Sequence, residues 1–170
     1  MTTERSDKLH FEWRASTEKF DYFVLGIICA LCAFIGQAYK PQESLSIPET
    51  LELTSLLVLV LAAISGFKRL EQTLLVSAIN SQRLHALEAK GGIVEKRQSG
   101  LSLINAATGD FYSPEQAQAR VQKLDHKIKA LKEPLETSKR MALLYYKRRN
   151  LAALIGFLLL ITARFSSVYI

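Results

Sequence analysis

Apolar residues are concentrated in three blocks along this chain, and polar residues fill the stretches between them. The blocks run from Tyr22 to Tyr39, from Leu53 to Phe67 and from Leu151 to Ile170. As helices they would extend about 27, 22 and 30 Å, against a hydrocarbon layer about 30 Å thick. The pattern predicts three transmembrane helices, which we place at residues 21–39, 51–67 and 151–170.

The second and third blocks need support from their flanks. Taken alone, the second is short enough to be a buried helix of a soluble protein, but Lys68 and Arg69 can extend their cations from its end to the headgroups. In the third, Arg164 lies about 9 Å of helix rise from the terminus, within reach of the far headgroups. A helix lying in the membrane plane would need a polar face, and Thr162 is the one polar residue between Leu151 and Ala163.

A cleavable secretory signal is the alternative explanation of the first block. Gly36-Gln37-Ala38 resembles the small residues of a signal-peptidase site. The twenty residues before the block are too long and too acidic for the start of a signal peptide, so we expect residues 1–20 to form an amphipathic lead-in along the membrane.

The distribution of cations predicts the orientation of the spans. Residues 68–150 carry sixteen Lys or Arg against eight Asp or Glu, whereas Lys40 is the one cation in the link at residues 40–50. Cations concentrate on the cytoplasmic side of membrane proteins. We therefore expect a multi-pass integral membrane protein, of the kind found in a bacterial inner membrane, with its N-terminus and residues 68–150 in the cytoplasm and its C-terminus outside.

The net charge of +6 and the pI near 9.4 have three explanations. Membrane orientation alone accounts for this excess of cations, and contact with anionic lipid headgroups is the next interpretation. Nucleic acid is disfavoured, because the chain has no zinc-binding pattern and little aromatic character among its cations. Residues expected at the membrane interface are Trp13, Lys68, Arg69, Tyr145, Tyr146, Lys147, Arg148, Arg149 and Arg164.

Residues 68–150 predict an antiparallel helical hairpin. The second span continues past Phe67 with apolar residues at three-and-four spacing and stops at Gly91-Gly92, where a left-handed helix end is favoured. The next helix begins at Ser113, whose capping box with Gln116 is explicit in the sequence. Its apolar seam consists of Val121, Leu124, Ile128, Leu131 and Leu135, and Pro134 should interrupt the helix before it enters the third span.

The tip of this hairpin, residues 93–112, is predicted to be a short β-hairpin or loop. Turn-forming residues at Asn105 and Thr108-Gly109-Asp110 separate two apolar stretches. Loops that project from a scaffold often carry function, so the tip is the expected surface for an unidentified cytoplasmic protein or ligand. Its candidate contact residues are Leu101, Leu103, Phe111 and Tyr112.

Small residues form stripes on two of the predicted spans. They are Gly26, Cys29, Ala30, Ala33 and Gly36 in the first, and Ala152 and Gly156 in the third. Such stripes allow close helix approach, either within one chain or between copies in a homo-oligomer. The Cys29-x-x-Cys32 spacing is better explained by this packing than by redox chemistry, because hydrocarbon disfavours a thiolate.

The sequence contains no pattern of a catalytic, metal or cofactor site. Its three histidines stand alone, and no Gly-rich phosphate loop or nucleophile elbow occurs. We therefore expect no enzyme activity and no cofactor. The predicted fold is an all-α membrane protein with three transmembrane helices and a cytoplasmic helical hairpin. Two functions fit it: a membrane-anchored interaction or scaffold component, and an oligomeric pore-forming or membrane-perturbing effector, such as those of bacterial defence systems.

Overall fold

The computed structural model describes the backbone of residues 2–38, 46–100 and 111–169, and the side chains of residue 12 and of residues 15–37, 46–100 and 111–166. Four α-helices account for nearly all of these residues. They are α1 at Thr2–Ala38, α2 at Ile47–Gln98, α3 at Pro114–Ala130 and α4 at Lys132–Tyr169. No β-strand occurs among the described residues, which confirms the predicted all-α class for that part of the chain.

Three helical stretches are long and apolar enough to cross a membrane, as predicted. They lie in α1, in α2 and in the stretch that joins α3 to α4. Only 22 to 28% of the residues in each apolar window are buried inside the protein. The remaining apolar side chains therefore need an apolar medium around them, which indicates a membrane protein.

One compact unit, the span unit, contains Met1–Glu71 and Ala142–Ile170. Its core is formed by side chains from all three of its helices: Ile28 and Ile35 of α1, Leu59 and Ala62 of α2, and Leu160 of α4. Large apolar side chains such as Phe23 and Leu57 point outward. The bundle is thus apolar both in its core and on its outer surface. A bundle surrounded by lipid requires this, because lipid tails are as apolar as the core.

Helices α2 and α4 are in close contact at Gly156. A Cβ added to Gly156 would lie 2.8 Å from Leu59 Cγ, so only glycine fits this contact. Beside it, Ser55 Oγ donates a buried hydrogen bond of 2.7 Å to the Gly156 carbonyl oxygen. The small residue and the hydroxyl together fix the register of α2 against α4.

A second compact unit, the polar unit, contains Gln72–Met141. The predicted seam forms its inner face: Leu124 and Leu135 are buried, and Val121, Ile128 and Leu131 are half-buried. Lys90 of α2 lies 2.7 Å from Asp125 of α3. Further along α2, Ile93 shares a small pocket with Ala117, which comes earlier in α3. These contacts advance along α2 as they move back along α3, so the two segments are antiparallel.

Both boundaries predicted for the seam helix are confirmed. Ser113 Oγ accepts a hydrogen bond from the Gln116 backbone N–H at 3.2 Å, and the Ser113 N–H donates to Gln116 Oε1 at 3.1 Å, which completes the capping box. Leu131 is a turn residue between α3 and α4, three residues before Pro134. Pro134 falls in the first turn of α4, where a missing N–H is tolerated.

The predicted helix end at Gly91-Gly92 is wrong. Helix α2 continues through both glycines to Gln98, and the left-handed residue is Gly100, with a φ of 66°. Each glycine in a helix interior costs about 1 kcal/mol, and the partly buried Ile93 and Val94 beyond them favour continuation of the helix. Residues 93–98 of the predicted tip are consequently helical, while residues 101–110 lie outside the described residues.

The predicted lead-in and the first span form a single helix. Helix α1 is continuous from Thr2 to Ala38, without a break between residues 20 and 21. At the start of α2, the Ser46 N–H donates to Glu49 Oε2 at 2.9 Å, which is the acidic half of a capping box. In each spanning helix, charged residues lie next to the apolar block, and some of these charged residues form the candidate site.

Candidate functional site

Three charged residues from three helices meet at one end of the span unit. Asp21 of α1 directly precedes the first apolar block, Arg69 of α2 follows the second by two residues, and Arg149 of α4 precedes the third by two. Because α2 runs antiparallel to α1 and α4, these positions lie at the same level. We call Asp21, Arg69 and Arg149 the ion cluster.

Each oxygen of the Asp21 carboxylate binds one guanidinium. Arg149 Nη1 donates to Asp21 Oδ1 at 2.9 Å, and Arg69 Nη2 lies 2.7 Å from Asp21 Oδ2. The side chains of Asp21, Arg149 and Arg69 are only 5, 1 and 13% exposed. Tyr146 lies against both cations, with its ring centroid 4.0 Å from Arg69 Cζ and 5.3 Å from Arg149 Cζ. The ion cluster is therefore buried and held by cation–π contacts as well as ion pairs.

The ion cluster carries two positive charges against one negative charge. Arg149 Nε donates to Asn150 Oδ1 at 3.0 Å, and Arg149 Nη2 is buried without a hydrogen bond to any residue that the structure describes. Removing one partner from a buried pair leaves an uncompensated charge, which is strongly unfavourable. The cluster thus ties three helices together and leaves an excess of positive charge near Asn150.

A lateral groove begins beside the ion cluster. Phe20, Ile27 and Leu31 of α1 face Tyr146, Leu154 and Phe157 of α4 across it, with Leu59 of α2 at its floor. Its volume is about 420 Å³. Tyr146 and Asn150 are the polar lining residues, and both lie at the end next to the ion cluster. The groove is therefore apolar along most of its length and polar at one end.

Glu52 and Arg164 pair at the opposite end of the span unit. Arg164 Nε lies 3.2 Å from Glu52 Oε1, with the two side chains 50% and 16% exposed. The sequence predicts that Arg164 reaches headgroups, and the structure adds a partner that sequence reasoning missed. Since Glu52 precedes the second block and Arg164 lies near the end of the third, the pair also supports the opposite directions of α2 and α4.

The predicted interface residues separate into exposed and buried groups. Lys68, Lys147 and Arg148 are exposed, as anchors in a headgroup layer would be, and Lys68 pairs with Glu71 at 2.8 Å. Arg69 and Arg149 are instead packed against Asp21, with Tyr146 beside them, and Tyr145 is half-buried. The side chain of Trp13 lies outside the described residues. Sequence reasoning did not predict the role of Asp21. The signal that could have shown it is an acidic residue at the end of one span, where two other spans each place an arginine at the same depth.

The two small-residue stripes occupy different environments. Gly156 is buried against Leu59 and Ala152 is half-buried, so this stripe packs within the chain. In α1 the stripe points outward: Gly26, Cys29, Ala30, Ala33 and Gly36 are all exposed. A Cβ added to Gly26 or Gly36 would meet nothing within 4 Å. The α1 stripe therefore makes no close contact with the described part of its own chain.

The tip candidates are only partly described. Phe111 is 69% exposed, whereas Tyr112 is half-buried and lines a small pocket with Ile93, Ala117 and Arg120. Leu101 and Leu103 lie outside the described residues. A larger pocket of about 520 Å³ in the polar unit is lined by Ile93, Arg97 and Val121 among others. Of the two tip candidates that the structure describes, Phe111 is the one whose side chain is available to a partner.

Among the described residues, no group of three or more His, Cys, Asp or Glu side chains is placed to hold a metal ion. The expected absence of a catalytic site and of a cofactor stays a prediction. Comparison with protein-family models, curated proteins and solved structures finds no match to this chain. Function must therefore be inferred from the geometry itself.

Proposed function

We propose that this protein is a membrane-anchored interaction component. Its three spans hold it in the membrane, with the N-terminus and residues 68–150 in the cytoplasm and the C-terminus outside. The polar unit is then a cytoplasmic helical hairpin whose tip meets a partner. The excess of cations in residues 68–150 supports this orientation.

The exposed apolar surface of the polar unit carries this proposal. Phe111, Leu84 and Leu87 are exposed although they lie far along the chain from the apolar blocks. Lipid tails cover the exposed leucines of the span unit, but they would not reach a cytoplasmic tip. Large aromatic side chains are frequent anchors at protein interfaces, so Phe111 is the first residue to test.

Site-specific photo-crosslinking tests this proposal. A photoreactive amino acid at Phe111 of the full-length protein, in native membranes, should give one discrete adduct with a protein. The same amino acid at His126, an exposed position of α3, serves as the control. Absence of an adduct from Phe111, or the same adducts from both positions, would contradict a partner surface at the tip.

The outward α1 stripe favours a second candidate, an oligomeric pore-forming or membrane-perturbing effector. Small residues allow two helices to approach closely, and no part of the described chain uses this stripe. Three short spans from one chain are too few for a water-filled pore, so this function needs several copies. The polar unit would then receive the signal that rearranges the spans.

Cys29 lies in the stripe and allows a direct test of oligomerisation. If copies meet through α1, mild oxidation in native membranes should yield a disulfide-linked dimer that Cys29→Ser abolishes and Cys32→Ser preserves. A monomer under oxidation and in mild detergent would contradict the oligomeric effector. Ion flux from purified protein in liposomes would separate an effector from a passive scaffold.

A further inference from the structure

The groove between α1 and α4 opens sideways at the level of the apolar blocks. Each wall extends over twelve residues, or eleven helical steps, from Phe20 to Leu31 on α1 and from Tyr146 to Phe157 on α4. That is about 16 Å of helix rise, and half of a hydrocarbon layer of about 30 Å is about 15 Å. The groove therefore extends from one membrane surface to the midplane, the depth of one acyl chain.

The polar end of the groove is suited to an anion. Asn150 Oδ1 accepts a hydrogen bond from Arg149 Nε, which leaves the Asn150 amide N–H groups to donate elsewhere. Behind Asn150 lies the ion cluster, with its two positive charges against one negative charge. Lys147 and Arg148 are exposed on the same turn of α4. The other end of the groove, at Leu31 and Phe157, is uncharged.

We propose that the groove binds one anionic phospholipid of the cytoplasmic leaflet. An acyl chain lies between α1 and α4 over Leu59, and the phosphate sits beside Asn150, where the surrounding cations neutralise its charge. This rests on the proposed membrane orientation but goes beyond general attraction to anionic lipid, because it assigns the lipid to one groove. A zwitterionic lipid offers the same chain without the net negative charge, so charge is what selects the occupant.

Native mass spectrometry of the full-length protein in mild detergent measures this binding. Phosphatidylglycerol and phosphatidylcholine with identical acyl chains are the probes. We expect one retained phosphatidylglycerol, bound about fivefold more tightly than phosphatidylcholine, the ratio that about 1 kcal/mol per cation corresponds to. Equal retention of the two lipids by the wild type would overturn the proposal and indicate non-selective surrounding lipid.

Two variants with a matched control locate the site. Ala153→Trp fills the groove and should remove the retained phosphatidylglycerol. Leu151→Trp places the same indole on the same helix, at a position that is 61% exposed and outside the groove lining, and should leave binding unchanged. Asn150→Leu keeps the apolar walls and should abolish only the preference for phosphatidylglycerol. Equal retention by the two Trp variants, or an unchanged preference in Asn150→Leu, would contradict the assignment.

The test stays decisive if Ala153→Trp does not fold. Asn150 is half-buried and lies at the rim, so Asn150→Leu then decides through the lipid preference alone. Sedimentation with membranes and the adduct from Phe111 test the proposed function and do not depend on the groove. Loss of the lipid site with both of these intact would therefore refute this inference without refuting the proposed function.

Discussion

Asp21 pairs with two guanidinium groups at once, one through each oxygen of its carboxylate. One oxygen faces Arg149 at 2.9 Å and the other faces Arg69 at 2.7 Å. If either guanidinium moved away, one carboxylate oxygen would lose its ion-pair partner. Tyr146 adds a π face to both cations. A buried ion pair is weak evidence for net stability, but it is expensive to break. The main role of the ion cluster is thus to fix the positions of α1, α2 and α4 relative to one another.

Arg149→Met should destabilise the protein. Arg69 still balances the charge of Asp21, but Asp21 Oδ1 loses its guanidinium donor while it stays buried, and we expect the free energy of unfolding in detergent to fall by about 1 to 3 kcal/mol. The matched control is Arg148→Met, next in the chain but exposed, which should change it by about 0.5 kcal/mol or less. Titration with a denaturing detergent, followed by circular dichroism, measures both. Similar losses in the two variants would show that Arg149 has no special role.

Among the helices, α2 shows most clearly how packing overrides a local signal. Gly91-Gly92 is a strong helix-stop pattern, yet the helix continues to Gln98 because Ile93 and Val94 are partly buried in the polar unit. Gly100 is left-handed instead. Helix starts were more predictable, because a cap such as Ser113 acts within one turn, whereas the end of α2 depends on α3, which is distant in sequence.

Gly91→Ala and Gly100→Ala should have opposite effects on stability. If α2 passes through Gly91, alanine there raises the free energy of unfolding by up to about 1 kcal/mol, since alanine is the better helix former. At Gly100 the φ of 66° disfavours a Cβ, so alanine should lower it by about 1 kcal/mol or more. The same denaturing-detergent titration compares them. Destabilisation by Gly91→Ala would instead support the helix end predicted from the sequence.

At the scale of the molecule, the chain combines a span unit, whose apolar side chains largely point outward, with a polar unit. Helix α2 contributes residues to both units. The three blocks were predictable because their length and composition, together with the charged residues at their flanks, favour a span over a soluble helix. The ion cluster was not, because Asp21, Arg69 and Arg149 are separated by up to 128 residues in sequence. Only the packing of antiparallel helices shows that these residues share one level.

The central claim is that three helices cross the membrane and leave residues 68–150 in the cytoplasm. Cysteine accessibility in intact cells tests it most directly, using full-length protein with Cys29 and Cys32 replaced by alanine. Single cysteines then replace Ser46, before α2, or Gln98, at the end of α2, both of them exposed. We predict that a membrane-impermeant maleimide labels Ser46→Cys in intact cells and Gln98→Cys only after permeabilisation. The reverse pattern, or labelling of both in a supernatant free of membranes, would contradict the account.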